Sequence, residues 1–148
     1  MAANPQIPQG VLNKLRGTVI VNANPSLNVT PSYLGRGGIS LAFTDQATVR
    51  MKTMTGVVTS GEPYQDCVLT LVLLKSQGFA QRWETQRQTQ STIGDLSITT
   101  DSSTLSNFDL VNCSIENVSP LSFNGEVAEY VVTIGGVYLI NSSLWSPV

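Results

Sequence analysis

Ten carboxylates, eight Lys or Arg, two Cys and no His are the side chains with which this chain could do chemistry. Without His, general acid–base work would fall to carboxylates, Lys, Tyr or Cys. The carboxylates stand singly, in turns or on polar strand faces, and no spacing favours a working pair. There is no Cys-x-x-Cys, so a zinc site is not expected. Cys67 and Cys113 occupy apolar positions of expected strands and read as buried free thiols in a reducing compartment. Gly35-Arg36-Gly37-Gly38 has the look of a phosphate loop, but it precedes a strand and so lacks the amide cradle of a helix N-terminus. Asn-x-Ser/Thr triplets at Asn28, Asn112, Asn117 and Asn141 match the glycosylation pattern. In a chain this rich in Asn, Ser and Thr, with no secretory signal expected at Met1–Gln6, they read as chance matches. No catalytic, cofactor or metal site is expected, and the chain does not read as an enzyme.

Three aromatic residues invite a binding role. Phe79 and Trp83 could form a ligand platform, but they share one helical stripe with Ala80, and core packing is the better reading. Trp145 lies in a Pro-flanked tail, where it could dock onto a neighbouring subunit or onto its own body.

Charge is scarce, at 12% of residues, about half the usual share. A shortage of surface charge suggests surface hidden by association. The formal net charge of −2 argues against a basic nucleic-acid clamp. All eight basic residues lie at or before Arg87, with four acids among them, for a net +4; the remainder holds six acids and no base, for −6. Either the halves mix in the fold, or they make complementary faces for self-association. No apolar run approaches the roughly 20 residues of a membrane span, so membrane insertion is not expected.

Residues 1–13 read as an extended arm and Arg16–Asn22 as a strand. Residues 23–38, with two Pro and three Gly, read as a long functional loop. Gly38–Phe43 alternates as a strand, and Thr48–Thr59 as another, with Arg50 and Lys52 opposite Val49 and Met51. A turn at Ser60-Gly61-Glu62-Pro63 would close one long hairpin whose tip carries Met54, Val57, Val58 and Tyr64. Asp66–Leu74 is apolar on both alternating faces and reads as a central strand covered on both sides. A helix follows over Phe79–Gln90, with Ser76 as the candidate N-cap. Strands are expected at Asp95–Asp101, Phe108–Val118 and Val127–Ile140, the last with a bulge at Gly135-Gly136, before a tail over 143–148. The polar faces of the first two would align Asp95, Asp101 and Glu116 with no Lys or Arg in either strand. The expected class is mainly β, in a single domain: a two-sheet sandwich or partly closed barrel with one flanking helix and a long protruding hairpin.

This order of parts resembles the tail tube protein of a contractile-tailed bacteriophage, and is similar to the type VI secretion tube protein of the same fold. The resemblance spans residues 14–142 and rests on length, order and composition. It implies hexameric rings stacked into the inner tube of a virion tail, assembled in the bacterial host cytoplasm, within a tail sheath. DNA would pass through during ejection without specific binding. Met54, Val57, Val58, Tyr64 and Trp145 become candidate contacts between subunits and rings, and Asp95, Asp101 and Glu116 candidate lumen residues whose charge would repel phosphate. The alternative is a non-catalytic β-sandwich module binding a carbohydrate.

Overall fold

In the computed structural model, residues 16–102 and 105–145 are described. The expected N-terminal arm and the end of the tail lie outside them, as does the side chain of Trp145. The strands are β1 (Gly17–Val21), β2 (Leu34–Phe43), β3 (Thr48–Lys52), β4 (Val57–Gly61), β5 (Tyr64–Leu74), β6 (Thr92–Thr100), β7 (Phe108–Val118) and β8 (Glu129–Leu139). The helices are α1 (Phe79–Thr89) and the short α2 (Ser142–Trp145). Six strands form one antiparallel sheet in the order β1-β6-β7-β8-β5-β2, and β3 and β4 pair only with each other. The large sheet curls into a half-barrel, and its two edges approach where β1 Gly17 faces the Ile39 side chain of β2. The protein is therefore mainly β, in the partly closed form.

Alternation explains the core. Cys67, Leu69, Leu71 and Leu73 of β5 point into the half-barrel beside Tyr130, Val132 and Ile134 of β8. Val19, Val21, Leu96, Leu110 and Ile115 complete the wall. The opposite side of β5, with Val68, Thr70, Val72 and Leu74, is only half-buried. Double coverage of this strand was expected from its apolar outer residues; no second layer covers it among the described residues.

Residues 23–38 are structured. Two 3-10 turns, Pro25–Leu27 and Pro31–Tyr33, carry Leu27 and Tyr33 onto the core, and Val29 bridges to Val19. β2 begins at Leu34, and its register slips between Leu34 and Ile39, which absorbs Gly35-Arg36-Gly37-Gly38 into the strand as an irregularity. Gly38, with φ of 65°, takes the left-handed conformation that such a bulge needs.

The Gly135-Gly136 pair breaks nothing in β8, whose pairing with β5 runs unbroken from Leu139 to Glu129. The irregularities lie on β7, between Val111 and Ser114 and between Ile115 and Asn117. The two glycines are windows: a Cβ at Gly136 would lie 2.7 Å from Cys113 Sγ, and one at Gly135 would strike the Glu116 carboxylate. Missing side chains here admit close neighbours on both faces of the sheet.

α1 closes the half-barrel with Phe79, Ala80 and Trp83, all buried. Phe79 stacks on Tyr33 at 4.0 Å between centroids and 11° between planes. Ser76 is not the cap: Gly78 holds that position and no side chain caps the helix. Arg87 stays exposed and forks onto Glu84 with bonds of 3.0 and 2.7 Å, while the Tyr130 hydroxyl donates to the same carboxylate. The Arg87 bonds, then the Tyr130 bond, hold Glu84 below the usual carboxylate range. Burial, and then the same contact, pushes the Tyr130 hydroxyl up.

Trp83 is 1% exposed and its indole N–H has no partner. Trp83→Ala therefore costs about 3–5 kcal/mol of subunit stability. Trp83→Phe, which surrenders an unused donor and part of the ring, costs clearly less. Urea melts of the two variants check this, and a Trp83→Ala subunit melting like the parent would refute the core role.

Candidate functional site

The ribbon formed by β3 and β4 is the part of the chain with least reason to stay bare. Every residue from Thr48 to Thr59 is exposed. Lys52 pairs with Val57, Arg50 with Thr59 and Thr48 with Gly61, so these share one face; Met51 with Val58 and Val49 with Ser60 make the other. The turn is Thr53–Gly56, closed by the Thr53 N–H to the Gly56 carbonyl at 2.8 Å and by the Gly56 N–H to Thr53 Oγ1 at 3.0 Å. The expected turn at Ser60–Pro63 is instead the junction from β4 to β5. Strong turn residues misled there, while Thr and Val around the true turn read as continuous strand.

This places the expected contact residues differently. Met54 sits at the tip, fully exposed. Val57 and Val58 lie in β4 on opposite faces, and Tyr64 opens β5 at the root, half exposed. The backbone of Trp145 ends α2 near that root. Sequence reasoning did not single out Leu139 and Leu144, both more than 60% exposed at the same end.

The root is clamped by the chain's last described turn. Asn141 adopts a left-handed φ of 54°, which Asn tolerates, and so aims its amide inward. That amide donates to the Glu62 carbonyl at 2.7 Å and the Ala47 carbonyl at 3.2 Å, joining both legs of the ribbon. Leu144 packs over Gly61, where a Cβ would meet its Cδ1 at 2.8 Å.

The second candidate surface is acidic. On the outer face of the half-barrel, a shallow depression of about 400 Å³ gathers Asp66, Asn112, Ser114, Glu116 and Gly135. Asp95 accepts the Asn112 N–H at 3.4 Å, and Asp109 accepts Ser97 Oγ at 2.8 Å. Among the described residues the ion pairs are Arg16–Asp101 and Arg87–Glu84, so these outer acids are unneutralised. Asp101 does not belong with them. It follows β6 and is bound by Arg16, whose backbone and side-chain donors hold its carboxyl below the usual range. Asp66 takes its place, and alternation opposite Cys67 and Leu69 was the signal for it. Halves of opposite charge do interleave, since β1 lies beside β6 and β5 beside β8.

The two thiols are poorly placed for nucleophilic chemistry. Burial, then the neighbouring Cys67 and Asp95, pushes the Cys113 thiol up to about 12; burial, then Asp66, raises Cys67. Neither is a thiolate at neutral pH. No cluster of three or more potential metal ligands exists among the described residues. The seam between the sheet's edges opens to about 490 Å³ and is lined by the apolar Ile39, Leu41, Phe43, Ile98 and Phe108 together with the polar Arg16, Arg36, Thr99, Thr100 and Ser106.

Asn141→Ala removes both clamp bonds and strains the backbone. We expect a local loss of about 1–2 kcal/mol, read as faster amide exchange over 48–61 with little change in the global melt. Unchanged exchange in the ribbon would refute the clamp.

No protein-family model matches the chain, and no curated protein matches it in sequence. Among solved structures, it is similar to a chain in the cryo-EM structure of the anti-feeding prophage cap (AFP tube terminating cap). The two share a fold at a TM-score of 0.51 and 15% sequence identity, over 95% of each chain.

Proposed function

We propose that this chain is a structural subunit of a phage-tail-like tube, without catalytic activity of its own. In this reading it assembles in a bacterial host into hexameric rings, and the rings stack into the inner tube of a tail beneath a sheath. The observation that carries it is the ribbon. A two-stranded hairpin is at best marginally stable alone in water, yet this one exposes Val49, Met51, Met54, Val57 and Val58 on both faces. A partner surface is what such an element is built to meet. The fold likeness to a chain of a tube terminating cap supports the tail reading, whether at the end of a tube or along its length.

Negative-stain microscopy of the purified protein tests this: rings or tubes are expected, and a monodisperse monomer at every concentration would overturn it. Val57→Ser with Val58→Ser should leave a folded subunit that no longer polymerises. Val57 is 59% and Val58 49% exposed, so covering what remains of the two side chains contributes roughly 1.5–3 kcal/mol per ribbon. Normal tubes from this double variant would remove the ribbon from the stacking contact.

The outer acids take the lumen in the same reading. Repeated around a ring, Asp66, Asp95 and Glu116 would give a negative wall that DNA slides past without binding. Asp95→Lys with Glu116→Lys, in tubes that still assemble, should retain DNA or slow its ejection, more at low salt than at high. Ejection unchanged at every salt concentration would put these carboxylates outside the channel.

A further inference from the structure

Two exposed apolar clusters lie at opposite ends of the β5–β8 ladder. At the Tyr64–Leu139 end stands the ribbon, with Arg50 and Lys52 and no acid between Thr48 and Gly61. At the Leu74–Glu129 end, residues 119–128 join β7 to β8 and expose Leu121, Val127 and, at 94%, Phe123. That loop carries Glu126 and no base. It is also held in place. Lys75 donates from Nζ to the Ser122 carbonyl at 2.6 Å and from its N–H to the Ala128 carbonyl at 2.7 Å. Asn124 Oδ1 accepts the Glu126 N–H at 3.0 Å, turning the tip. Phe123 is thus presented outward on an anchored loop.

These two clusters cannot meet within one molecule, because the strand between them spans about 33 Å. We propose that the ribbon of one copy docks on the 119–128 loop of the next, head to tail. Phe123 packs against Met54 and Val57, and Glu126 faces Lys52 and Arg50, which share the Val57 face. The inference rests on the tube reading and names the acceptor for the ribbon within it. Different patches at opposite ends make a heterologous contact, which propagates along an axis instead of closing as a dimer. The outer-face acids offer the ribbon a competing charge partner, with Ile20, Tyr64 and Leu139 exposed on the same face, but no side chain there stands as clear of the body as Phe123.

Phe123→Ser is the direct test, since so exposed a side chain leaves the subunit's melt unchanged. Rings should persist while tubes disappear, with the sedimentable fraction falling more than about tenfold. Mixed with the Val57→Ser/Val58→Ser subunit, each variant supplies one intact half of the joint. The mixture should give paired rings that neither forms alone. Lys52→Glu should weaken stacking and Glu126→Lys should restore it. Tubes of parental length from Phe123→Ser, single rings only from the mixture, or rescue of Lys52→Glu by Glu116→Lys instead would each overturn the docking while leaving the tube reading intact. A parent that forms neither rings nor tubes would overturn both.

Discussion

The unbroken pairing of β5 with β8 is the constraint on which the rest of the structure depends. Eleven consecutive residue pairs, Tyr64↔Leu139 through Leu74↔Glu129, run without a slip. Because the side-chain period is two, this register commits Leu69, Leu71, Val132 and Ile134 to one face together; a one-residue shift would turn them all out. The same register sets Gly135 and Gly136 under Glu116 and Cys113. The bulges that the sheet needs in order to curl are displaced onto β7, where Asn112 takes a left-handed φ of 52°. The ladder also fixes where the ends are: the ribbon and the Asn141 clamp at one, the 119–128 loop and the start of α1 at the other.

A half-barrel with one covered face leaves the other to be explained. Its outer side carries Val68, Val72, Val111, Val131 and Val137, half-buried by their own neighbours, with Thr70, Ser114 and Thr133 between them. Carboxylates stand across this surface at Asp66, Asp109 and Glu116. Charges set along an apolar β face oppose face-to-face association of sheets. The ribbon has the reverse character, apolar and basic, so the two surfaces are unlike in chemistry.

Much of this was legible in the sequence where one residue decides one thing. Cys67, Leu69, Leu71 and Leu73 alternate, and they line the core; Phe79, Ala80 and Trp83 recur at helical spacing, and they dock α1. Legibility failed where two local signals compete. Ser60-Gly61-Glu62-Pro63 outweighs Thr53-Met54-Thr55-Gly56 as a turn by composition, but the register of Met51 with Val58 depends on cross-strand partners that no local window contains. Asp101 looked unpaired because its partner, Arg16, lies 85 positions away. Phe123 went unmarked because Pro120, Asn124 and Gly125 around it read simply as loop. Only the structure shows its ring standing clear of the body.

The ribbon is an excursion that the sheet does not require. β2 and β5 are antiparallel neighbours, with Phe43 opposite Cys67, and such strands can be joined by a two-residue turn. Residues 44–63 intervene instead. Ordering a backbone costs roughly 1–2 kcal/mol per residue, and burial within the chain does not offset it, since no residue from Thr48 to Thr59 is buried. What holds the ribbon's direction is its root, through Asn141, Leu144 and the Glu62 N–H to the Ala47 carbonyl at 3.0 Å. A clamp at the root with nothing buried beyond it orients an element without consuming its surface. In the tube reading, the free energy that keeps such an insertion comes from the partner surface that its exposed valines and methionines would cover.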